Sequence, residues 1–118
     1  MPLRHIRVTC TEIPCNSPVS VSGLRVFGLG DGEKPCRVDT GSSVMEDPMT
    51  CRLTWSKADG AIGYNVRFGV APDKLYASCQ VYSQKEAYLT TLNGGMTCWY
   101  VIDAFNENGV TEGTVCKM

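Results

Sequence analysis

The run GMTCWYVIDAFNENG, residues 95–109, decides the fold. Side chains alternate along it with the period of a strand, which sets Cys98, Tyr100, Ile102 and Ala104 on one face and Trp99, Val101, Asp103 and Phe105 on the other. The next four residues, Asn106 to Gly109, favour a chain reversal, because Asn and Gly tolerate left-handed backbone. We therefore expect a second strand, from about Val110 to Cys116, to fold back on the first.

The residues upstream add further strand signals. CRLTW at 51–55 is followed by GYNVRFG at 63–69, and leucines stand at 89 and 92. This pattern resembles a fibronectin type III module, and the positions that match its motif are Trp55, Tyr64, Val66, Phe68, Leu89, Leu92, Gly95, Ala104, Asn106 and Gly109. The resemblance covers about half the chain. It implies an all-β, immunoglobulin-like antiparallel sandwich over residues 36–118.

Inward-facing positions of these strands define the predicted core. Further strands are expected near 42–45, 75–82 and 88–90, with turns at 58–61 and 71–74. The family usually has a tyrosine six residues after the second leucine, and Cys98 stands there instead, so we expect the corner hydrogen bond of that tyrosine to be missing. The predicted core residues are Leu53, Trp55, Tyr64, Val66, Phe68, Leu92, Tyr100 and Ile102.

The first 35 residues are predicted to form a β-hairpin and a linker. Alternating residues 4–11 read as one strand, 19–27 as its partner, and the glycine-rich residues 28–35 as a flexible exit. RHIRVT followed by SGLRVFG resembles the last two strands of a discoidin-like carbohydrate-binding module. A hairpin alone is marginal in water, so we expect it to pack on the sandwich. The predicted division is 1–35 for this remnant and 36–118 for the type III domain.

The two resemblances in tandem are similar to the C-terminal region of family 43 glycoside hydrolases, the β-xylosidase and arabinofuranosidase group. They imply a non-catalytic accessory domain that acts as spacer and docking module, with the other domains of a xylan- or arabinoxylan-degrading enzyme as partners in cis. Two alternatives stay open. One is a carbohydrate-binding module for plant polysaccharide, and the other an independent adhesion or protein-interaction module.

Composition excludes several partner classes. The formal charge is −1 and the pI is near 5.7, and basic residues are scattered singly, so we expect no binding to nucleic acid or to anionic membranes. No apolar run approaches the ~20 residues of a membrane span, and the first residues lack the apolar stretch of a signal peptide. The compartment stays open.

Seven cysteines are many for 118 residues. There is no Cys-x-x-Cys pair and the one histidine is His5, so neither a metal site nor a cofactor is expected, nor a Cys-His nucleophile. Most of the thiols should be buried and free. Disulfides between Cys51 and Cys98, or between Cys10 and Cys15, are less favoured possibilities.

Carboxylates of a glycosidase would have to converge on one sugar. Asp103 is expected to face outward from its strand, and the other acids fall in turns or at strand ends where acids are usually solvated, so no catalytic residue is predicted. The acids considered are Asp59, Asp73, Asp103, Glu107 and Glu112.

Exposed aromatics could stack on sugar rings. Trp99 and Phe105 are six residues and thus ~20 Å apart on the outward face of their strand, a spacing that suits an elongated surface. With Tyr82 they are the predicted carbohydrate-binding residues, and Tyr76 and Tyr88 are also available. An apolar patch on an accessory module more often marks an interface with a neighbouring domain, and we favour that interpretation.

Overall fold

Strands and loops account for the whole described chain. The computed structural model describes residues 3–15, 17–26, 28–39, 41–90 and 94–118. Its strands are β1 (Gly41–Asp47), β2 (Thr50–Trp55), β3 (Gly63–Gly69), β4 (Ala77–Val81), β5 (Glu86–Leu89), β6 (Trp99–Asn106), β7 (Gly109–Thr111) and β8 (Cys116–Lys117). Within these ranges no helix has the length and apolarity to cross a membrane.

The strands form two antiparallel sheets. One has the order β1-β2-β5, and the other the order β4-β3-β6-β7, with β8 also pairing with β6. Strand β6 lies at the centre of the larger sheet and pairs with β3 over its whole length, from Gly63 opposite Phe105 to Gly69 opposite Trp99. The predicted all-β antiparallel sandwich is thereby confirmed.

The core lies between the sheets and is built by every second residue of β2, β3 and β6. Trp55 meets Tyr64 edge to face, with ring centroids 5.4 Å apart, and the Tyr64 hydroxyl accepts a hydrogen bond from the Ala58 N–H at 3.0 Å. Leu53, Trp55, Tyr64, Val66, Tyr100 and Ile102 are buried, and Phe68 packs against them while partly exposed. Leu92, predicted to belong to this core, lies outside the described residues.

The predicted N-terminal hairpin is wrong for the part of the chain that the structure describes. No strand occurs among the described residues between 3 and 39, and every described residue from 3 to 34 is exposed. The alternation of residues 4–11 is genuine, but no apolar surface covers its apolar face, and a two-stranded ribbon without such a surface is marginal in water. The division of the chain after residue 35 stays a prediction.

The last predicted strand, 110–116, is also corrected. It is split into β7 and β8 by residues 112–115. At this break the chain passes so close to β6 that a Cβ on Gly113 would collide with the carbonyl oxygen of Ile102. The Gly113 N–H instead donates to the Asp103 carboxylate at 3.1 Å, and this contact takes the segment out of the ladder.

Candidate docking site

The turn between β6 and β7 binds the segment that enters the sandwich. We call residues 28–37 the connector, and its contacts with this turn the connector clamp. The Gly30 N–H donates to the Glu107 carbonyl at 2.6 Å, and the Gly32 N–H donates to Asn108 Oδ1 at 3.0 Å. Asn108 Nδ2 donates in turn to the Glu33 carbonyl at 2.9 Å. The Asn108 amide thus satisfies a donor and an acceptor of the connector backbone.

Asn106 closes the turn and joins three segments. Its Oδ1 accepts a hydrogen bond from the Asn108 N–H at 2.8 Å, which shapes the turn from within. Its Nδ2 donates to the Glu33 carbonyl at 3.0 Å and to the Gly60 carbonyl at 3.1 Å. The connector, the β2–β3 turn and the β6–β7 turn therefore meet at a single side chain.

Further contacts continue along the connector to the start of the sandwich. Thr111 Oγ1 donates to the Pro35 carbonyl at 2.6 Å, and the Cys36 N–H donates to the Asp59 carbonyl at 2.8 Å. Arg37 Nε donates to the Glu112 carbonyl at 3.0 Å. Four backbone groups of residues 28–35, which the sequence predicts to be a flexible exit, thus have hydrogen-bond partners on the sandwich, and the mobility of this stretch stays a prediction.

The connector approaches the turn closely enough to require small residues. A Cβ on Gly30 would collide with Asn108 Oδ1, and a Cβ on Gly32 would lie 2.7 Å from Asn108 Nδ2. Glycines that suggest a loose linker in the sequence thus make room for the Asn108 side chain. Sequence reasoning missed this role, although the pair Asn106 and Asn108 was already recognised as a turn.

Asp103 lies on the outward side of β6, yet it is buried, with 4% of its surface exposed. Arg67 on the neighbouring strand donates from Nε to Oδ2 at 2.6 Å and from Nη2 to Oδ1 at 3.2 Å. This hydrogen-bonded pairing holds the pKa of Arg67 above its usual value. Asp103 is therefore a structural partner of Arg67 and not part of a carboxylate pair.

The other acids considered from the sequence are spread over the surface. Asp59, Asp73, Glu107 and Glu112 are all exposed, and their described contacts do not bring them together. Glu107 and Glu112 contribute to the site described above through backbone carbonyls, not through their carboxylates. The candidate site is thus a surface of backbone and amide groups, which can hold a peptide segment.

The predicted sugar-binding aromatics are brought together only in part. Tyr82 and Phe105 pack edge to face, with centroids 5.8 Å apart, and the Tyr82 hydroxyl donates to Gln80 Oε1 at 3.2 Å. Tyr82 is 61% exposed, whereas Phe105 is half-buried. Trp99 is half-buried at the opposite end of β6. An elongated platform of Trp99 and Phe105 is therefore much less open than the sequence suggests.

All seven cysteines are free thiols in the structure, and the possible bridges Cys51–Cys98 and Cys10–Cys15 stay predictions. Cys51 lies on the smaller sheet and Cys98 directly precedes the central strand of the larger one. Burial raises the pKa of the Cys51 and Cys79 thiols. No group of three or more His, Cys, Asp or Glu side chains in the described ranges is placed to hold a metal ion.

Comparisons with known proteins place the fold. No protein-family model matches the sequence, and no curated protein matches it. Among solved structures, the chicken CNTN1 FN1-FN3 domains are similar over 72% of this chain, with 20% identity and a TM-score of 0.64, and this chain spans only 30% of that structure. A Fn3-like protein from Clostridium thermocellum has 23% identity and a TM-score of 0.61, with 72% of this chain and 88% of that chain covered.

FN3tt is a further neighbour, with 26% identity and a TM-score of 0.53 over 72% of this chain and 89% of its own. The chain therefore has the fold of a fibronectin type III domain.

Proposed function

We propose that this chain is a non-catalytic spacer and docking module that fixes the orientation of whatever precedes its sandwich. The observation that carries the proposal is the connector clamp. A flexible linker would leave a preceding domain free to rotate, whereas residues 30–37 are held at successive positions by the β6–β7 turn and its surroundings.

The exposed apolar side chains of the N-terminal segment support a neighbour on that side. Ile6, Val8, Val21 and Val26 are each about half exposed or more, in a stretch whose alternation is that of a strand. Strands of this kind usually bury one face against further structure. The clamp would then hold this segment, and the domain to which it belongs, in register with the sandwich.

Nuclear magnetic resonance relaxation of the full chain tests the clamp. We expect the backbone amides of Gly30 and Gly32 to have order parameters of ~0.85, like those of the strands. In the Asn108→Ala variant, the order parameters of the same two amides should fall below ~0.6. Asn65→Ala is the matched control, because Asn65 lies on β3 away from the connector. Order parameters below ~0.6 in the unchanged chain would refute the spacer proposal.

We further propose that the longer protein is a glycoside hydrolase of the xylan and arabinoxylan class. Support comes from the two sequence resemblances in tandem, a discoidin-like ending followed by a type III module. The isolated chain should not release nitrophenol from nitrophenyl xylosides. The coding sequence upstream of residue 1 should encode a five-bladed catalytic domain, and a different catalytic fold there would contradict this assignment.

A carbohydrate-binding role is the second candidate, and the exposed ring of Tyr82 braced by Phe105 favours it. Aromatic rings present an apolar face on which a pyranose can stack. Calorimetric titration with xylan oligosaccharides should then give a binding signal that Tyr82→Ala removes. Tyr76→Ala is the control, since Tyr76 is 85% exposed and outside the pair. A Tyr76→Ala variant that loses binding equally would contradict this role.

A further inference from the structure

Sulfur side chains from both sheets line one cavity at the end of the sandwich. The cavity has a volume of about 450 Å³. Four of its lining residues carry sulfur, and we call them the sulfur pocket: Met45, Met96, Cys98 and Met118. They come from β1, from the loop before β6 and from the residue after β8, so the pocket exists only when both sheets are in place.

Strand register places Met45, Cys98 and Met118 at this cavity, and Met96 reaches it from the loop before β6. Met45 lies directly opposite Cys51, which is fully buried, and directly opposed residues of an antiparallel pair point to the same face. Across β6 and β8, Trp99 is opposite Lys117 and the Met118 N–H donates to the Cys98 carbonyl at 2.9 Å. Cys98 and Met118 are therefore side by side on the inward face of the larger sheet.

The sequence contains a signal for this arrangement. Met96-Thr97-Cys98 and Cys116-Lys117-Met118 each place two sulfur residues two positions apart, and β6 and β8 run antiparallel. Strand alternation places Cys116 and Met118 on one face, whereas Met96 and Thr97 lie in the loop before β6. The spacing rules that identify zinc sites in a sequence do not detect this group of sulfur residues, because they consider histidine, cysteine and carboxylates but not the thioether of methionine.

The pocket has the chemistry of a soft cation site. Thioether and thiolate sulfurs select Cu(I) over hard divalent ions. Met45 and Met96 are about half exposed, so a metal can reach them from solvent, whereas Cys98 is only 8% exposed. Asp47 is the one charged residue among the lining residues and gives the cavity a negative charge.

We propose that the sulfur pocket binds one soft monovalent cation, Cu(I) or its analogue Ag(I), through the thioethers of Met45, Met96 and Met118 and the sulfur of Cys98. The Cys98 thiol releases its proton to solvent as the metal–sulfur bond forms, and no oxidation step takes place. The site does not depend on the spacer role, because the clamp and the pocket share no residues.

Silver titration of the full chain tests the site. The exposed thiols Cys10, Cys15 and Cys36 are first changed to serine, so that they do not capture the ion. With ¹³C-labelled methionine methyl groups, one equivalent of Ag(I) should shift the signals of Met45, Met96 and Met118. The signal of Met49 should stay in place, since this exposed methionine lies in the turn directly after β1 but does not line the pocket.

Variants then identify the ligands. We expect Cys98→Ser to weaken Ag(I) binding at least about tenfold, because loss of a direct ligand should cost no less than loss of a residue that only orients one. Met96→Leu, at a half-exposed position that will not disturb folding, should weaken it as well, whereas Met49→Leu and Cys79→Ser should have no effect. Competition with bicinchoninate extends the measurement to Cu(I).

Two results would overturn the proposal. One is a Met49 methyl shift as large as those of the pocket methionines, which would mean adventitious binding to exposed sulfur. The other is unchanged Ag(I) affinity in both Cys98→Ser and Met96→Leu, which would place the ion elsewhere.

Discussion

The ion pair between Arg67 and Asp103 should be worth far more than an ordinary surface pair. Asp103 accepts two hydrogen bonds from Arg67 and one from the Gly113 N–H, and only 5% of its side chain is exposed. Breaking a fully buried pair costs about 3–5 kcal/mol. Because the Arg67 side chain is 36% exposed and can be rehydrated, we expect the lower end, ~3 kcal/mol, for Asp103→Ala.

A double-mutant cycle isolates the pair itself. Arg67→Ala should cost ~3 kcal/mol, since it leaves a buried carboxylate with one donor, and the double variant only ~4 kcal/mol, since no charge is then stranded. The coupling free energy is therefore ~2 kcal/mol. Urea unfolding measures it, because 3 kcal/mol moves the midpoint by about 2 M at a slope of ~1.5 kcal/mol per M.

The control is the pair of Arg52 and Glu46. Its N–O distance is also short, 3.0 Å, but its side chains are 39% and 45% exposed. Because solvent screens this exposed pair, its coupling free energy should be below ~0.5 kcal/mol. A coupling for Arg67 and Asp103 no larger than that of the control would refute the argument that burial of Asp103 strengthens the pair.

Three further outcomes follow from the packing and the titrating groups. Gly113→Ala should lower the melting temperature by ~8 °C or more in a calorimetric scan. The new Cβ collides with the Ile102 carbonyl, and moving the backbone to relieve this clash would cost ~2 kcal/mol of folding free energy. Gly23→Ala is the control, because Gly23 has open space around it and the substitution should leave the melting temperature almost unchanged. A hydrogen bond from the Met49 N–H holds the pKa of Asp47 below its usual value. Ionised Asp47 therefore stabilises the fold at pH values above ~4, the pKa of the unfolded state, and this stabilisation is lost as the pH falls through the folded-state pKa. Asp47→Ala should therefore melt below the unchanged chain at pH 7, with the difference closing below pH ~4, and a constant difference would contradict this. In native protein at pH 8, Ellman's reagent should label the exposed thiols Cys10, Cys15 and Cys36 quickly. It should label Cys51, which is fully buried and whose pKa burial raises, only after unfolding, and fast labelling of Cys51 would show that the sheets open.

Local periodicity was enough to predict the main strands, and the resemblance to a fibronectin type III module added their arrangement as a sandwich. In residues 51–55 and 98–105, the side chains at every second position face the core and those between them face the other side of the sheet. This alternation is visible in the sequence of each strand by itself. The prediction of the N-terminal hairpin was wrong because alternation alone does not provide a surface on which a strand can pack. Alternation at 4–11 indicates a strand, but a strand forms only where a partner surface exists, and the described chain offers none.

The docking site could not be predicted because its contacts join distant positions. Gly32 and Asn108 are separated by 76 residues, and Arg67 and Asp103 by 36. The alternation of side chains along β6 correctly places Asp103 on the outward side of the strand. It cannot reveal that Arg67 and the backbone of Gly113 cover Asp103 on that side. The glycines at 30 and 32 were likewise ambiguous, since close contact and flexibility both favour glycine.

The connector clamp also decides where the chain can be cut or extended. Inserting residues between Asn106 and Gly109 would break the hydrogen bonds that Glu107 and Asn108 accept from the Gly30 and Gly32 N–H groups, so a tag, a protease site or a guest peptide placed there should loosen the connector. The turn at Ala71–Lys74 is exposed at its tip and closed by its own hydrogen bond of 3.0 Å. New termini or guest sequences between Pro72 and Asp73 would leave the junction with the preceding segment untouched.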